Sequence, residues 1–327
     1  MTRIYVLHEN DAWVEPLRTA FDSLGLPYEA WFLDEGTVPF HEEPPRGVFY
    51  NRMSASSHTR GHRYAPELTH VVLNWLEEHG RRVVNSSRAL YLEVSKIAQY
   101  AALNRAGVRT PRTVAAVGRD KVVAAAHAFD EGPFILKPNR GGKGLGVQLF
   151  QSAGAVADYL DNLPAEEAPI DGVWLIQDYV RALDPYITRC EFVGQRFHYA
   201  VRVDTSEGFE LCPADACAVG EDLCPADGPA PNKFTIVEDF NHPILEHYRR
   251  FLIDNDIEIA GIEFITDRNG ELFTYDVNTN TNYNGQAETE AAVRVTGMDA
   301  VARFLGDELA AVTTEPAVAA EPAVAAE

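Results

Sequence analysis

"GIEFITDRNGELFTYDVNTNTNYN", residues Gly261–Asn284, holds two carboxylates where a sheet tolerates them only with a partner. Two runs, Ile259–Thr266 and Glu271–Asn278, have strand character, and Asn269-Gly270 between them has the composition of a two-residue hairpin turn. A register counted from that turn sets Glu263 directly opposite Asp276. Asn278 follows on the same face by the two-residue period. Directly opposed residues have Cβ atoms about 4.5–5.5 Å apart, and like charges so placed destabilise a sheet. The pair calls for a cation.

A second hairpin poses the opposite problem. "YITRCEFVGQRFHYAVRV" turns at Gly194-Gln195, and the same counting puts Arg189 opposite Ala200 with Arg202 as its diagonal neighbour, about 7–8 Å away. Two guanidinium groups side by side need an anion between them. Between these hairpins and the N-terminal region lies "FILKPNRGGKGLGVQLF", a strand carrying Lys137, a run of glycines and a second strand. Glycines allow backbone N–H groups to approach a phosphate, and Lys137 and Lys143 add charge. The run is neither a Walker loop, because Gly144 follows Lys143, nor a dinucleotide fingerprint, because no helix follows. A triphosphate with bound Mg2+ would satisfy both the arginine pair and the carboxylate pair. Cys190 falls on the face opposite Arg189, which argues against a covalent role.

The 327 residues suffice for two or three sub-domains. A net charge of −21 argues against a nucleic-acid partner, since phosphate backbones need clustered Lys and Arg. It would also repel an acidic carrier protein, favouring small-molecule or short-peptide acid and amine substrates. No basic-then-apolar leader and no apolar run of membrane length occurs, and four cysteines fit a reducing compartment, so a cytoplasmic protein is expected. The repeated "EPAVAA" at the C-terminus predicts a disordered tail over 311–327.

Along the chain, "TRIYVLHE", "YEAWFLDE" and "GVFYNRM" read as strands alternating with helices, which predicts an α/β region with a parallel sheet. "AWVEPLRTAFDSLG" and "YAPELTHVVLNWLEEHG" are helices stopped by Gly25 and Gly80, and "SSRALYLEVSKIAQYAALNRAG" reads as one long helix ended by Gly107. From "PFILKPN" onward strands and hairpins dominate, placing a boundary near 92–112. Asp204–Lys233 reads as a long loop after Arg202, placed to act as a lid, with Asp215, Glu221 and Asp222 able to attract an amine. Its Cys212, Cys217 and Cys224 lack a CxxC pair, leaving unpaired thiols or, as the alternative, zinc.

Lys96, "ILKPNRGGKGLGV", "LIQDYV", Arg189 and Arg202, "GIEF" and "DVN", in this order, resemble the ATP-grasp superfamily, and within it the RimK-type carboxylate–amine ligases. The resemblance spans roughly residues 85–290. It implies an α/β (α+β grasp) chain: a pre-ATP-grasp domain with a parallel sheet over 1–92, a first lobe and hinge over 93–182, and a second lobe with the metal site over 183–310. It implies that Lys96 and Lys137 contact ATP phosphates under the loop of Gly141, Gly142, Lys143 and Gly144. Gln177, Asp178, Tyr179 and Val180 match the adenine-binding hinge. Arg189 and Arg202 match the catalytic arginines, and Glu263, Asp276 and Asn278 the Mg2+ ligands. Where the family carries an acidic ribose contact this chain has Ile187, and Asp184 is the nearest replacement. The implied reaction joins an acid to an amine through an acyl phosphate and releases ADP and phosphate. A small-molecule kinase and a non-catalytic ATP-binding module are the alternatives. A homodimer is compatible with the family.

For the substrate, "NRMSASSHTRGHRY" (51–64) is a basic, polar island beyond a strand end. There Arg52, Ser54 and Arg60, with Ser56 and Ser57, fit an anion, or else form a surface loop. His58 and His62 lack a third ligand and read as polar surface. The run "NTNTNYN" puts Asn280 and Tyr283 just past the metal strand, suited to an amino-acid-like substrate.

Overall fold

The computed structural model describes residues 2–129, 131–142, 144–206, 233–237 and 239–314. Lys143, the three loop cysteines, the acidic residues of the expected lid and the tail from 315 onward lie outside the described residues.

The N-terminal layer is a parallel sheet. Its elements are β1 (Arg3–His8), α1 (Asp11–Leu24), β2 (Tyr28–Phe32), β3 (Gly47–Asn51), α2 (Ala65–Glu78) and β4 (Arg82–Val84), with strand order β2-β1-β3-β4. All five residues of β3 are buried, as a strand covered on both faces requires. Val14, Leu17 and Phe21 line the inner face of α1, and Gly25 ends it in the left-handed conformation at φ 64°.

The predicted single long helix is two helices, α3 (Ser87–Glu93) and α4 (Lys96–Arg105). The break comes from Ser95, whose backbone is extended and whose hydroxyl accepts from the Ala98 N–H as an N-cap. The Lys96 and Ile97 N–H groups leave the helix pattern and donate to Asn139, on the Gly-rich segment. Lys96 therefore sits on the first turn of α4.

The first lobe follows: β5 (Thr113–Val117), α5 (Arg119–Ala126), β6 (Phe134–Pro138), β7 (Gln148–Phe150), α6 (Ala153–Asn162) and β8 (Val173–Asp178). Its strands form an antiparallel sheet in the order β5-β8-β6-β7, covered by α5 and α6 through Val122, Ala126 and Val156.

The second lobe contains β9 (Tyr186–Val193), β10 (Arg196–Asp204), β11 (Phe234–Val237), α7 (Ile244–Asp254), β12 (Ile259–Thr266), β13 (Leu272–Asn278) and α8 (Gly285–Glu290). Its strand order is β11-β10-β9-β12-β13. One face packs on α3, α4 and α7 through Leu92, Tyr100, Leu103, Tyr248 and Phe251. The other face packs Tyr199, Val201 and Val203 against Ala287 of α8 and turns Arg189 and Glu263 to a cavity. The last described helix, α9 (Gly297–Thr314), runs past the 310 boundary expected from the sequence and returns to the N-terminal layer. There Val301 and Leu305 share a core with Val14, Leu17, Phe21 and Ile259. Among the described residues no helix is long and apolar enough to cross a membrane.

Candidate active site

The hairpin β12–β13 places Glu263 opposite Asp276, as the sequence predicts, but by a different route. Asp267 to Glu271 closes a three-residue connection, with Gly270 at φ 81° and the Asp267 carboxylate accepting from the N–H groups of Asn269 and Glu271. That shifts the register by one residue. A bulge at Tyr275 shifts it back, because Phe264 faces Thr274 while Glu263 faces Asp276. The extra residue turns its hydroxyl onto the site, donating to Glu263 Oε2 at 3.0 Å.

Around this pair the cleft gathers its charges. Arg189 Nη1 donates to Glu263 Oε1 at 2.8 Å, Asn278 Nδ2 donates to the same oxygen at 3.3 Å, and Lys96 Nζ meets Asp276 Oδ1 at 2.5 Å. Burial, with Asp276 nearby, raises the Glu263 pKa although Arg189 pulls the other way. Burial opposes the charge on Lys96 and on Arg189, yet the facing carboxylates outweigh it and hold both cations above their ordinary values. Arg189 is fixed from behind: its Nε donates to Glu191 Oε1 and its Nη2 to Thr281 Oγ1, both at 2.5 Å. Its guanidinium lies on Gly261, where a Cβ would come within 2.6 Å of Cζ.

Lys137 on β6 is buried, with Nζ donating to the Tyr100 hydroxyl at 2.7 Å and to Gln177 Oε1 at 3.0 Å. Burial, and then Lys96, lowers its pKa from 10.5 to about 7. No carboxylate touches it among the described residues. A cavity of about 450 Å³ joins all these groups, with Lys96, Lys137, Arg189, Glu263, Asp276 and Asn278 on its wall. Gly141, Gly142 and Gly144 close one side, while Asp178–Val180 with Ile135, Ile187, Ile265 and Phe273 make an apolar slot at one end. Gln177 lines it too, and Asp178 pairs with Arg112 at 2.9 Å.

The donor set fits a hard divalent cation, with two carboxylates and a carboxamide on one face. Asn278 gives its Nδ2 to Glu263, which leaves Oδ1 as its outward atom. Among the described residues no three His, Cys, Asp or Glu side chains gather as a metal cage.

Several expected site residues stand elsewhere. Arg202 is on the opposite face from Arg189, exposed, with its guanidinium 4.6 Å from the Tyr186 ring centroid. A bulge at His198 is the reason, since it moves Arg189 opposite Val201 instead of Ala200. Asp184 is exposed beside Tyr186 and does not line the cavity. Tyr283 turns into the core, its ring against Gly297 and its buried hydroxyl without a partner among the described residues. Arg60 is paired with Glu9 and lies over the Trp13 ring at 4.6 Å. Arg52 is buried by four backbone and carboxamide acceptors. Ser54 and Asn280 do line the cavity.

Glu93, Glu191 and Thr281 are new. Glu93 accepts from the Ala55 N–H and from the Thr279 N–H and hydroxyl, so it joins the 51–64 segment to the end of β13. Its signal in the sequence was a charged residue at the end of an apolar helix stripe. Glu191 alternates with Arg189 on one strand face, a pattern visible in "RCE".

No protein-family model matches the chain, and no curated protein does. Solved structures do. The ATP-grasp ligase PsnB in complex with its minimal precursor superposes with a TM-score of 0.63 at 18% identity, over 95% of this chain and 100% of that one. The RimK domain protein ATP-grasp of Sphaerobacter thermophilus gives 0.61 at 17% identity, over 94% and 99%. This chain has the ATP-grasp fold. D-cycloserine synthetase DcsG superposes with a TM-score of 0.63 at 15% identity, over 94% and 99%. Identities this low speak for the fold alone. On that fold the cleft between the two grasp lobes is where the cavity described above lies.

Proposed function

We propose that the chain is an ATP-dependent carboxylate–amine ligase of the RimK type, releasing ADP and phosphate. The observation that carries the reading is the convergence of Lys96, Lys137 and Arg189 with Glu263, Asp276 and Asn278 on one cavity that ends in an apolar slot. Such a slot receives a flat base, with Asp178–Val180 offering backbone hydrogen bonds along its edge. Lys137 and Lys96 hold the phosphates, and Gly141, Gly142 and Gly144 cover them. Glu263, Asp276 and Asn278 would hold Mg2+, which supplies charge against the phosphate oxygens.

In the proposed reaction a substrate carboxylate oxygen attacks the γ-phosphorus, and the bond to the β-bridging oxygen breaks with its electron pair leaving on ADP. The amine nitrogen then attacks the acyl carbon, phosphate departs, and the ammonium proton passes to solvent. Arg189, locked by Glu191 and Thr281, presents Nη1 where charge grows on the transferring group. No side chain of the protein becomes covalently modified, in keeping with Cys190, which is buried on the opposite face with burial pushing its thiol pKa far up. PsnB was also solved with a precursor peptide, and DcsG is named for a small molecule; both fit an amino-acid-like small molecule or short peptide as acid here. Incubating the protein with ATP, Mg2+ and a panel of acids in hydroxylamine is expected to yield ADP and a hydroxamate in equal amounts. ADP with a phosphorylated alcohol and no hydroxamate would make it a kinase instead.

A further inference from the structure

Two asparagines beyond β13 face the cavity with their donors outward. Arg52 is buried at 2% exposure, and its hydrogen-bond partners among the described residues are all neutral. Nε donates to Asn280 Oδ1 at 3.0 Å, Nη2 to Asn282 Oδ1 at 2.7 Å and to the Thr281 carbonyl at 3.0 Å, and Nη1 to the Trp13 carbonyl at 2.9 Å. An arginine has only donors, so the atom each carboxamide turns toward it must be oxygen. The Nδ2 groups of Asn280 and Asn282 then point away from Arg52, and they donate to no protein acceptor among the described residues. Both asparagines line the cavity, whereas neither Arg52 nor Arg60 does.

A buried guanidinium met only by neutral acceptors keeps its whole charge, and burial without a counter-charge is costly. That field acts through the two carboxamides, polarising the NH2 groups on their far side. Ser54 and Ser56, whose hydroxyls lie 2.9 Å apart, line the same cavity and stand two and four residues after Arg52. Glu93 spends its oxygens on the Ala55 and Thr279 backbone, tying this segment to the asparagines. Arg60 is neutralised by Glu9. The wall therefore offers donors backed by the Arg52 guanidinium, with the Glu93 carboxylate of the lining occupied by N–H and O–H donors and no bare cation at the surface.

We propose that Asn280 and Asn282, backed by Arg52, form the subsite for the carboxylate of the acid substrate. This deepens the ligase reading and rests on it for the location of the reacting phosphate. Neutral donors hold the carboxylate without a direct ion pair, so its oxygen remains a nucleophile. A direct arginine contact would hold it more tightly and blunt it.

The test uses the full-length protein loaded with Mg2+ and the non-hydrolysable ATP analogue AMPPNP. Calorimetry follows the binding of the twenty L-amino acids and alanyl-alanine, each beside its C-terminal carboxamide. At least one acid is expected to bind, with its carboxamide at least about tenfold weaker. Asn280→Asp and Asn282→Asp keep an oxygen for Arg52 but put a carboxylate oxygen where the NH2 stood. Each is expected to weaken that acid at least about tenfold, with AMPPNP affinity within about twofold and no fall in melting temperature. Equal binding of acid and carboxamide, unchanged binding in both variants, or no acid bound at all would overturn the subsite. ADP release with ATP separates this from the ligase reading. An acid that binds through the two asparagines yet never yields ADP removes the ligase and leaves the subsite.

Discussion

Gly261 illustrates how closely single residues are set in this cleft. The Arg189 guanidinium rests on its Cα, so Gly261→Ala would force a methyl to within 2.6 Å of Cζ, against a side chain already held by Glu191 and Thr281. Displacing a buried, doubly paired arginine is expected to cost about 1–3 kcal/mol of stability and to cut ADP release at least about a hundredfold. Urea denaturation and a coupled ADP assay measure the two effects; a fully active variant would show that Arg189 does not need this position. Asp276→Ala removes one carboxylate of the proposed metal set and leaves Lys96 without its 2.5 Å partner, and is expected to abolish ADP release while the far-ultraviolet spectrum stays unchanged.

Lys137 supplies a test in protons. Its surroundings are the Tyr100 hydroxyl, the Gln177 carboxamide, Lys96 and, more weakly, Asp276, and its pKa falls from 10.5 to about 7. Between those two values the unfolded chain carries a proton that the folded chain lacks, so this group's contribution to stability rises with pH across that window. A phosphate placed beside it restores the charge. AMPPNP binding at pH 8 is therefore expected to take up about one proton, and at pH 6 almost none. Calorimetry in buffers of different ionisation enthalpy counts it. The uptake should vanish in Lys137→Met.

At the scale of elements, two bulges decide which side chains meet. Counting from a turn put Glu263 against Asp276, and that pairing stands because the three-residue connection and the Tyr275 bulge offset one another. The same counting put Arg202 beside Arg189, and there a single bulge at His198 reverses the face. Alternation in the sequence reveals strands and their rough partners. It does not reveal a bulge, because the extra residue costs little and leaves no compositional mark. The split between α3 and α4 was more legible: Ser95 is a good N-cap, hidden by the apolar spacing that runs through it. Arg52 shows a different limit, since a basic residue in a polar loop looked like surface or ligand and is instead buried by four acceptors, three of them 228 to 230 residues away in sequence. From the geometry, Arg202→Ala is expected to leave ADP release within about twofold, as befits an exposed residue off the cavity. A loss beyond tenfold would restore it to the reaction.

At the scale of the whole molecule, the layers are not consecutive blocks. The segment after β3 lends Ser54 to the cleft and sets Arg52 behind Asn280 and Asn282, α4 lends Lys96 from beneath the second lobe, and α9 comes back to complete the first core. Leu305 is fully buried there, beside residues of α1, β1 and β3. Leu305→Ala is expected to cost about 2–5 kcal/mol, read as a shift in the urea midpoint, although it lies outside the cavity lining. Loss of nucleotide binding before any unfolding would mean that this helix acts on the cleft directly.

The returning helix also sets the order of events on the ribosome. Val14, Leu17, Phe21, Val48 and Tyr50 are made long before the side chains that share their core, Val301 and Leu305. Until that helix is made the first layer presents an unfinished apolar face, so it cannot settle as an independent unit in the usual N-to-C order. Nascent chains arrested before residue 297 should remain bound by holdase chaperones, and those arrested once residue 314 has cleared the exit tunnel should let go.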